Sequence, residues 1–288
     1  MPQDNSRKRV GLALGGGAAR GLAHIGVLSV LEEARIPIDF IAGTSMGAMI
    51  GAAYCAGIEI PQLLENTAST TWWQISSPTW PRHGWLSFEK MEHWVTGLIG
   101  DVDIRDLAIP FAAVATDIET GQRVILREGP VGKIIRASCS VPGIIEPLEY
   151  DGRLLCDGGI SDNLPDYAAR LLGADYVIGV DVFAPAFRTF LGPAGALLAA
   201  VETLVQHAGG GDLDADCLII PDLIGTSYIR LSKYMDIIAA GERAALEMLP
   251  VIQAALAEQD APGQPPLSGT KPFYRDAAED GRILNTTG

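Results

Sequence analysis

Apolar residues fall into short runs that end in glycine, and between those runs they recur at helical spacing. Arg9 to Leu14 is one such run and leads into Gly15-Gly16-Gly17. The next stretch, Ala18 to Ala34, sets Leu22, Ile25, Val27, Leu28 and Leu31 on a helical period. The pattern predicts strand, glycine loop, helix. Ile36 to Ala42 predicts a second buried strand, which passes through Gly43-Thr44-Ser45-Met46-Gly47 into an alanine-rich helix stopped by Gly57. Further strands are predicted over 109–116, 176–182 and 217–221, separated by helical segments near 132–138, 165–172, 196–207 and 232–259. This alternation predicts an open α/β sheet covered on both faces. Gln122–Leu126, and the pair Ile144–Tyr150 and Arg153–Cys156 about Asp151-Gly152, read as hairpin insertions.

Composition narrows the picture. The 288 residues are 48% hydrophobic, ample for a substantial core, and we expect a single domain over 1–259. From Asp260 onward proline, glycine and charge dominate, so 260–288 reads as a loosely packed tail. No run approaches the ~18 apolar residues of a spanning helix, and the first ten residues lack the apolar core of a secretory signal. The expected location is the cytoplasm, with peripheral contact at the inner face of the membrane left open. The net charge of −14 argues against nucleic acid, whose binding depends on cationic side chains displacing counterions. It also disfavours electrostatic adsorption to anionic lipid, while burial of apolar surface can still drive membrane contact. Cys55, Cys139, Cys156 and Cys217 show neither CxxC spacing nor clustering with histidine, so buried thiols are expected and no metal site.

Residues 43–47, GTSMG, match the G-x-S-x-G pattern, in which a sharp strand-to-helix turn lifts a serine hydroxyl clear of the backbone. Small neighbours at Gly43, Thr44, Met46 and Gly47 avoid collisions, and the following helix presents free N–H groups and a positive dipole end. The same pentapeptide also serves as a purely structural turn. A nucleophile would need donors for an oxyanion and a base for its proton. The loop Gly15-Gly16-Gly17-Ala18 can supply the donors, since parallel strands bring their C-terminal ends side by side. Its competing reading, a phosphate cradle, weakens because Arg20 stands where G-x-G-x-x-G needs its last glycine. Arg20 either holds the loop, faces an anionic group or lies on the surface.

Only four histidines compete for the role of base. A Ser-Asp-His order would require His207, which sits at a helix end where the dipole alone favours it. His24 reads as a packing or hydrogen-bonding residue. Asp157-Gly158-Gly159 is the remaining candidate, although DGG alone is a common turn.

Taken together, GGGAARGLAHIGVL at 15–28, GTSMGA at 43–48, RASCSVPGIIEPL at 136–148 and DGGISDNLP at 157–165 resemble the patatin-like phospholipases. Within that family the chain is similar to bacterial proteins akin to the catalytic domain of neuropathy target esterase. The resemblance runs from about Val10 to Leu256. It implies a patatin-type three-layer α/β/α fold with a mainly parallel central sheet, and a Ser-Asp dyad in place of a triad. Carried over by motif, Ser45 is the nucleophile, Asp157 its base, and Gly15, Gly16, Gly17 and Ala18 form the oxyanion hole, with support from Arg20, Gly158 and Gly159. The chain departs from the pattern at Leu14, where plant patatins tend to be acidic, and in its second alanine before Arg20. The exact donor therefore stays open among Gly16, Gly17 and Ala18.

The implied function is a serine lipid acyl hydrolase acting on phospholipid, lysophospholipid or another fatty acyl ester through an acyl-serine intermediate, without a metal or cofactor. An acyltransferase, or a non-catalytic regulatory or binding protein on the same fold, are the competing readings. All five tryptophans, Trp72, Trp73, Trp80, Trp85 and Trp94, lie within 23 residues. Residues 58–105 are accordingly expected to form a cap that lines an acyl pocket or touches a membrane surface, with Phe88 and Met91 on the same apolar surface. A compact aromatic mini-core for this insertion is the equal alternative.

Overall fold

A computed structural model describes residues 7–80, 82–183, 203–208, 214–224, 226 and 234–258. Its centre is an eight-stranded sheet in the order β10-β9-β1-β2-β5-β8-β7, with β6 on the other edge of β5. The strands are β1 (Val10–Leu14), β2 (Phe40–Thr44), β5 (Phe111–Asp117), β6 (Arg123–Leu126), β7 (Leu148–Tyr150), β8 (Arg153–Asp157), β9 (Tyr176–Val180) and β10 (Cys217–Ile219). β10, β9, β1, β2 and β5 run parallel, whereas β6 and β8 pair antiparallel with β5, and β7 with β8. A separate two-stranded ribbon joins β3 (Ser77–Pro78) to β4 (Leu86–Ser87).

Alternation along each strand divides the core between the two faces. Leu12, Leu14, Ile41, Ala113, Ile178 and Val180 face one side. Against them pack α1 (Ala23–Glu33), α2 (Met46–Cys55), α5 (Glu89–Ile99), α6 (Val131–Cys139) and α8 (Tyr234–Ala257). Ala13, Ala42, Val114 and Val177 face the other side, under Ala168 and Ala169 of α7 (Asp166–Leu172). Burial on both faces explains why the strands read as unbroken apolar runs.

The structure corrects several sequence expectations. β2 begins at Phe40, later than expected, and Pro37, which has no N–H to give a ladder, lies ahead of it. Ala18–Leu22 is a tight 3-10 turn ahead of α1. The hairpin about Asp151 and Gly152 is present, both residues having positive φ, but it is no insertion. β8 joins the main sheet, as does β6, which makes the sheet mixed. The helix expected near 196–207 lies largely outside the described residues, and the tail 260–288 lies wholly outside them.

Residues 58–105 contain α3 (Ile60–Ser69), α4 (Trp72–Ile75), the β3–β4 ribbon and α5. Phe88 and Met91 are buried in the main core and do not form an outer apolar surface. The tryptophans divide: Trp72 and Trp94 pack against that core, whereas Trp73, Trp80 and Trp85 are exposed.

Candidate active site

Thr44 ends β2 and Met46 begins α2, which leaves Ser45 alone to make the turn, at φ 54° and ψ −121°. A side chain other than glycine rarely adopts such a backbone, and the strain persists only where its surroundings hold it. The neighbours must be glycine. A Cβ on Gly47 would come 2.1 Å from Leu14 O, and one on Gly43 would come 2.5 Å from the Ala48 backbone. Ser138 on α6 holds the turn from beside it. Its hydroxyl accepts the Ser45 N–H at 2.9 Å and donates to Val114 O at 2.6 Å. Thr44 Oγ1 adds a bond to Asp162 O at 3.1 Å.

Register delivers the acid. β2 lies beside β5 as far as Thr44, opposite Val114, and β8 takes up the ladder at the next residue, Asp157 opposite Ala115. β6 already covers Ala113–Thr116 on the other edge of β5, so β2 and β8 share one edge, end to end. The gap between them is the elbow. Ser45 Oγ donates to Asp157 Oδ2 at 2.6 Å, while Asp157 Oδ1 accepts the Gly159 N–H at 2.8 Å. The Asp157 N–H is fixed to Ser140 O at 2.8 Å, and Gly158 is needed because a Cβ there would lie 2.3 Å from Val114 O. Burial pushes the Asp157 carboxyl up to about 6, against the opposing pull of its bonds to Ser45 and Gly159. A carboxyl tuned to that range exchanges protons near neutral pH better than an ordinary one near ~3.9.

The glycine loop lies against this pair. A Cβ on Gly16 would sit 3.3 Å from Ser45 Cβ and 2.7 Å from Asn163 Oδ1. Gly15 and Gly16 spend their N–H groups on Val180 O (3.0 Å) and Asn163 O (3.1 Å). The N–H groups of Gly17 and Ala18 donate to no described residue, and Ala18 is held at φ 47°. Within the glycine loop, Gly17 and Ala18 therefore keep their N–H groups unspent, and Gly16 is the member packed on Ser45.

Supporting side chains brace the loop from below. His24 is fully buried, and its Nε2–H donates to Gly15 O at 2.7 Å. Burial lowers its pKa to about 4, so it is a neutral strut. Arg20 is buried, not superficial; its Nε and Nη2 donate to Thr226 O at 3.0 and 2.6 Å. His207 is exposed, and neither Ser45 nor Asp157 bonds to it. All four cysteines are buried free thiols, and Cys139 beside Ser45 and Asp157 is held well above its ordinary pKa by burial and by the Asp157 charge. Among the described residues no cluster of His, Cys, Asp and Glu side chains is suited to holding a metal ion.

Sequence reasoning did not assign roles to Ser138, Ser140, Asn163 or the pair Asp162–Arg123 (2.7 Å). Ser138, Ser140, Asp162 and Asn163 were signalled only by membership of the RASCSVPG and DGGISDNLP segments, and Arg123, outside both, had no signal. The lining of an apolar slot of about 80 Å³ includes Ala19 and Met46, the residues that follow Ala18 and Ser45. Its floor is Met49, Ile50 and Ala53 of α2, and its roof comes from Leu63, Thr67, Trp72 and Trp94 of residues 58–105.

Sheet and turn together belong to the α/β class in which a strand-to-helix elbow carries a serine. Within that class the chain belongs to the family described as patatin-like phospholipase, whose model matches residues 12–169. An uncharacterized NTE family protein of Mycobacterium bovis is 43% identical over 180 residues, covering 62% of this chain and 50% of its own length. Neuropathy target esterase sws of Drosophila melanogaster is 38% identical over 181 residues, 60% of this chain and 13% of the fly protein. Lysophospholipase NTE1 of Saccharomyces cerevisiae is 34% identical over 190 residues, 64% of this chain and 11% of the yeast protein. The chain thus spans half or less of the length of these relatives. The crystal structure of VipD from Legionella pneumophila shares the fold, with a TM-score of 0.52 at 13% identity over 85% of this chain and 67% of that one.

Proposed function

We propose that the protein is a serine lipid acyl hydrolase that cleaves fatty acyl esters of the phospholipid or lysophospholipid class through a Ser45–Asp157 dyad. The observation that carries the reading is the 2.6 Å bond from Ser45 Oγ to a buried carboxylate, with a glycine loop packed on Ser45 at Gly16 that keeps the Gly17 and Ala18 N–H groups unspent. Asp157 Oδ2 takes the hydroxyl proton as Ser45 Oγ bonds to the ester carbonyl carbon. The carbonyl oxygen becomes an oxyanion held by Gly17 N–H and Ala18 N–H. As the tetrahedral species collapses, the ester C–O bond breaks, and the leaving alcohol oxygen receives the proton from Asp157. Water then attacks the acyl-serine, gives its proton to Asp157, and the proton returns to Ser45 Oγ as the fatty acid leaves.

The apolar slot supports the choice of substrate class. Met46, next to the nucleophile, is among its lining residues, and α2 and the segment 58–105 give it walls suited to an acyl chain with few polar groups to bind anything else. The names of the yeast and fly relatives point the same way. No helix among the described residues is long and apolar enough to cross a membrane.

The test is labelling by a fluorophosphonate, together with turnover of p-nitrophenyl esters of increasing chain length, for wild type, Ser45→Ala and Asp157→Asn. Labelling should require Ser45, and turnover should require both residues. A folded Asp157→Asn protein with near-normal turnover would remove the dyad.

A further inference from the structure

Two of the exposed tryptophans are presented by a fastened structure. Trp80 and Trp85, 79% and 68% exposed, stand on the turn of the β3–β4 ribbon. The ribbon is tied to the loop that follows α6. Ile144 O accepts from both Trp85 N (2.9 Å) and Leu86 N (3.0 Å), and Glu146 N donates to Leu86 O (2.8 Å). Gly84 packs so closely on this loop that a Cβ would lie 2.4 Å from Glu146 N. The loop adds its own exposed apolar side chains, Val141 and Ile144. Four large apolar groups on one backbone-bonded unit are exposed without a folding reason, the pattern that marks a surface meant to be covered.

We propose that Trp80, Trp85, Val141 and Ile144 form a docking face for a zwitterionic, choline-bearing lipid surface. The occupant follows from chemistry on the molecule. Indole rings lodge at the boundary between headgroups and acyl chains, and their faces attract quaternary ammonium groups. The chain's net charge of −14 opposes both anionic lipid and a second copy of itself. Location supports the same occupant. The loop bearing Val141 and Ile144 grows from the stretch in which Ser138 holds Ser45 N and Ser140 O holds Asp157 N. The face is thus anchored within a few residues of the dyad, where a lipid ester would have to arrive. The relevance of the face to turnover rests on the hydrolase reading, whereas binding does not.

Binding is therefore measured on Ser45→Ala protein. It should float with phosphatidylcholine vesicles, and brominated phosphatidylcholine should quench its tryptophan emission, a readout that needs no further variant. Trp80→Ala/Trp85→Ala should weaken flotation about tenfold or more. In an active background the same double change should lower kcat/KM on vesicle substrate by a similar factor, and leave hydrolysis of dissolved p-nitrophenyl butyrate unchanged. Absence of quenching, equal flotation by the double variant, or tighter binding to phosphatidylglycerol vesicles would overturn the proposal. So would a dimer, seen by sedimentation velocity, that the double variant abolishes. Binding without any hydrolysis would sink the hydrolase reading and leave the face standing; hydrolysis without binding would do the reverse.

Discussion

Ser45 and Asp157 are 112 positions apart in sequence and 2.6 Å apart in space because their strands meet end to end on one edge of β5. The contact is thus built from backbone register. Burial then raises the acid to about 6, which sets a pH dependence. kcat/KM should rise about tenfold per pH unit up to near 6 and level off above it, as Asp157 loses its proton and becomes a base. A profile flat from pH 4 to 8 would exclude Asp157 as the titrating base.

The same shift has a stability consequence. Asp157 binds its proton more tightly folded, at about 6, than unfolded, at about 3.8. Its contribution is fully present below pH ~4 and is lost as pH rises through 6, by about 3 kcal/mol at most. Asp157→Asn keeps an acceptor for the Gly159 N–H and removes the buried charge. The variant should therefore melt higher than wild type at pH 8, with the gap closing towards pH 4. Thermal unfolding at both pH values checks the sign.

Ser138 should behave as a positioning residue. Its hydroxyl satisfies a buried N–H on the strained serine and a carbonyl of β5 at once. Ser138→Ala leaves both without a partner, at a cost of about 1–3 kcal/mol, and frees the elbow to relax. We expect kcat to fall about tenfold or more with KM nearly unchanged, since the pocket is untouched. A change confined to KM in steady-state kinetics would contradict this role.

Thr67 roofs the apolar slot from α3 and is partly exposed. Thr67→Trp should fill the slot and shorten the preferred acyl chain. Displacing two methylenes from an apolar wall costs about 1.6 kcal/mol, roughly 15-fold in kcat/KM. The ratio of p-nitrophenyl laurate to butyrate turnover should fall by that order, and an unchanged ratio would place the acyl chain elsewhere.

Two glycines test the packing of the helices. A Cβ on Gly241 of α8 would lie 2.0 Å from Ala23 O of α1, and the obstacle is backbone that cannot rotate away. Gly97 on α5 has nothing within 4 Å of its would-be Cβ. Gly97→Ala should raise Tm by a degree or more through lower unfolded-state entropy. Gly241→Ala should lower it by several degrees despite alanine's better helix propensity, because overpacking of about 1–3 kcal/mol outweighs it.

The local parts are legible in the order of residues alone. Apolar runs ended by Gly15 and by the GTSMG turn specified the strands, since burial on both faces of a sheet demands continuous hydrophobicity. The glycines at 43, 47 and 158 announced close backbone approaches, and Asp151-Gly152 announced its hairpin. What those parts meet depends on long-range packing. Antiparallel β8 reads as a local hairpin because its partner, β5, lies some forty residues upstream, and no local pattern encodes that pairing. The choice of Gly17 and Ala18 over Gly15 and Gly16 as free donors depends on Val180 and Asn163, carbonyls from distant segments that consume the other two N–H groups. Ser138 and His24 are likewise unremarkable residues in sequence, and gain their roles because a folded core leaves one buried hydroxyl facing the elbow and one imidazole under the glycine loop. The division of the tryptophans into pocket wall and exposed face was settled the same way, by which side of one segment the rest of the chain happened to cover.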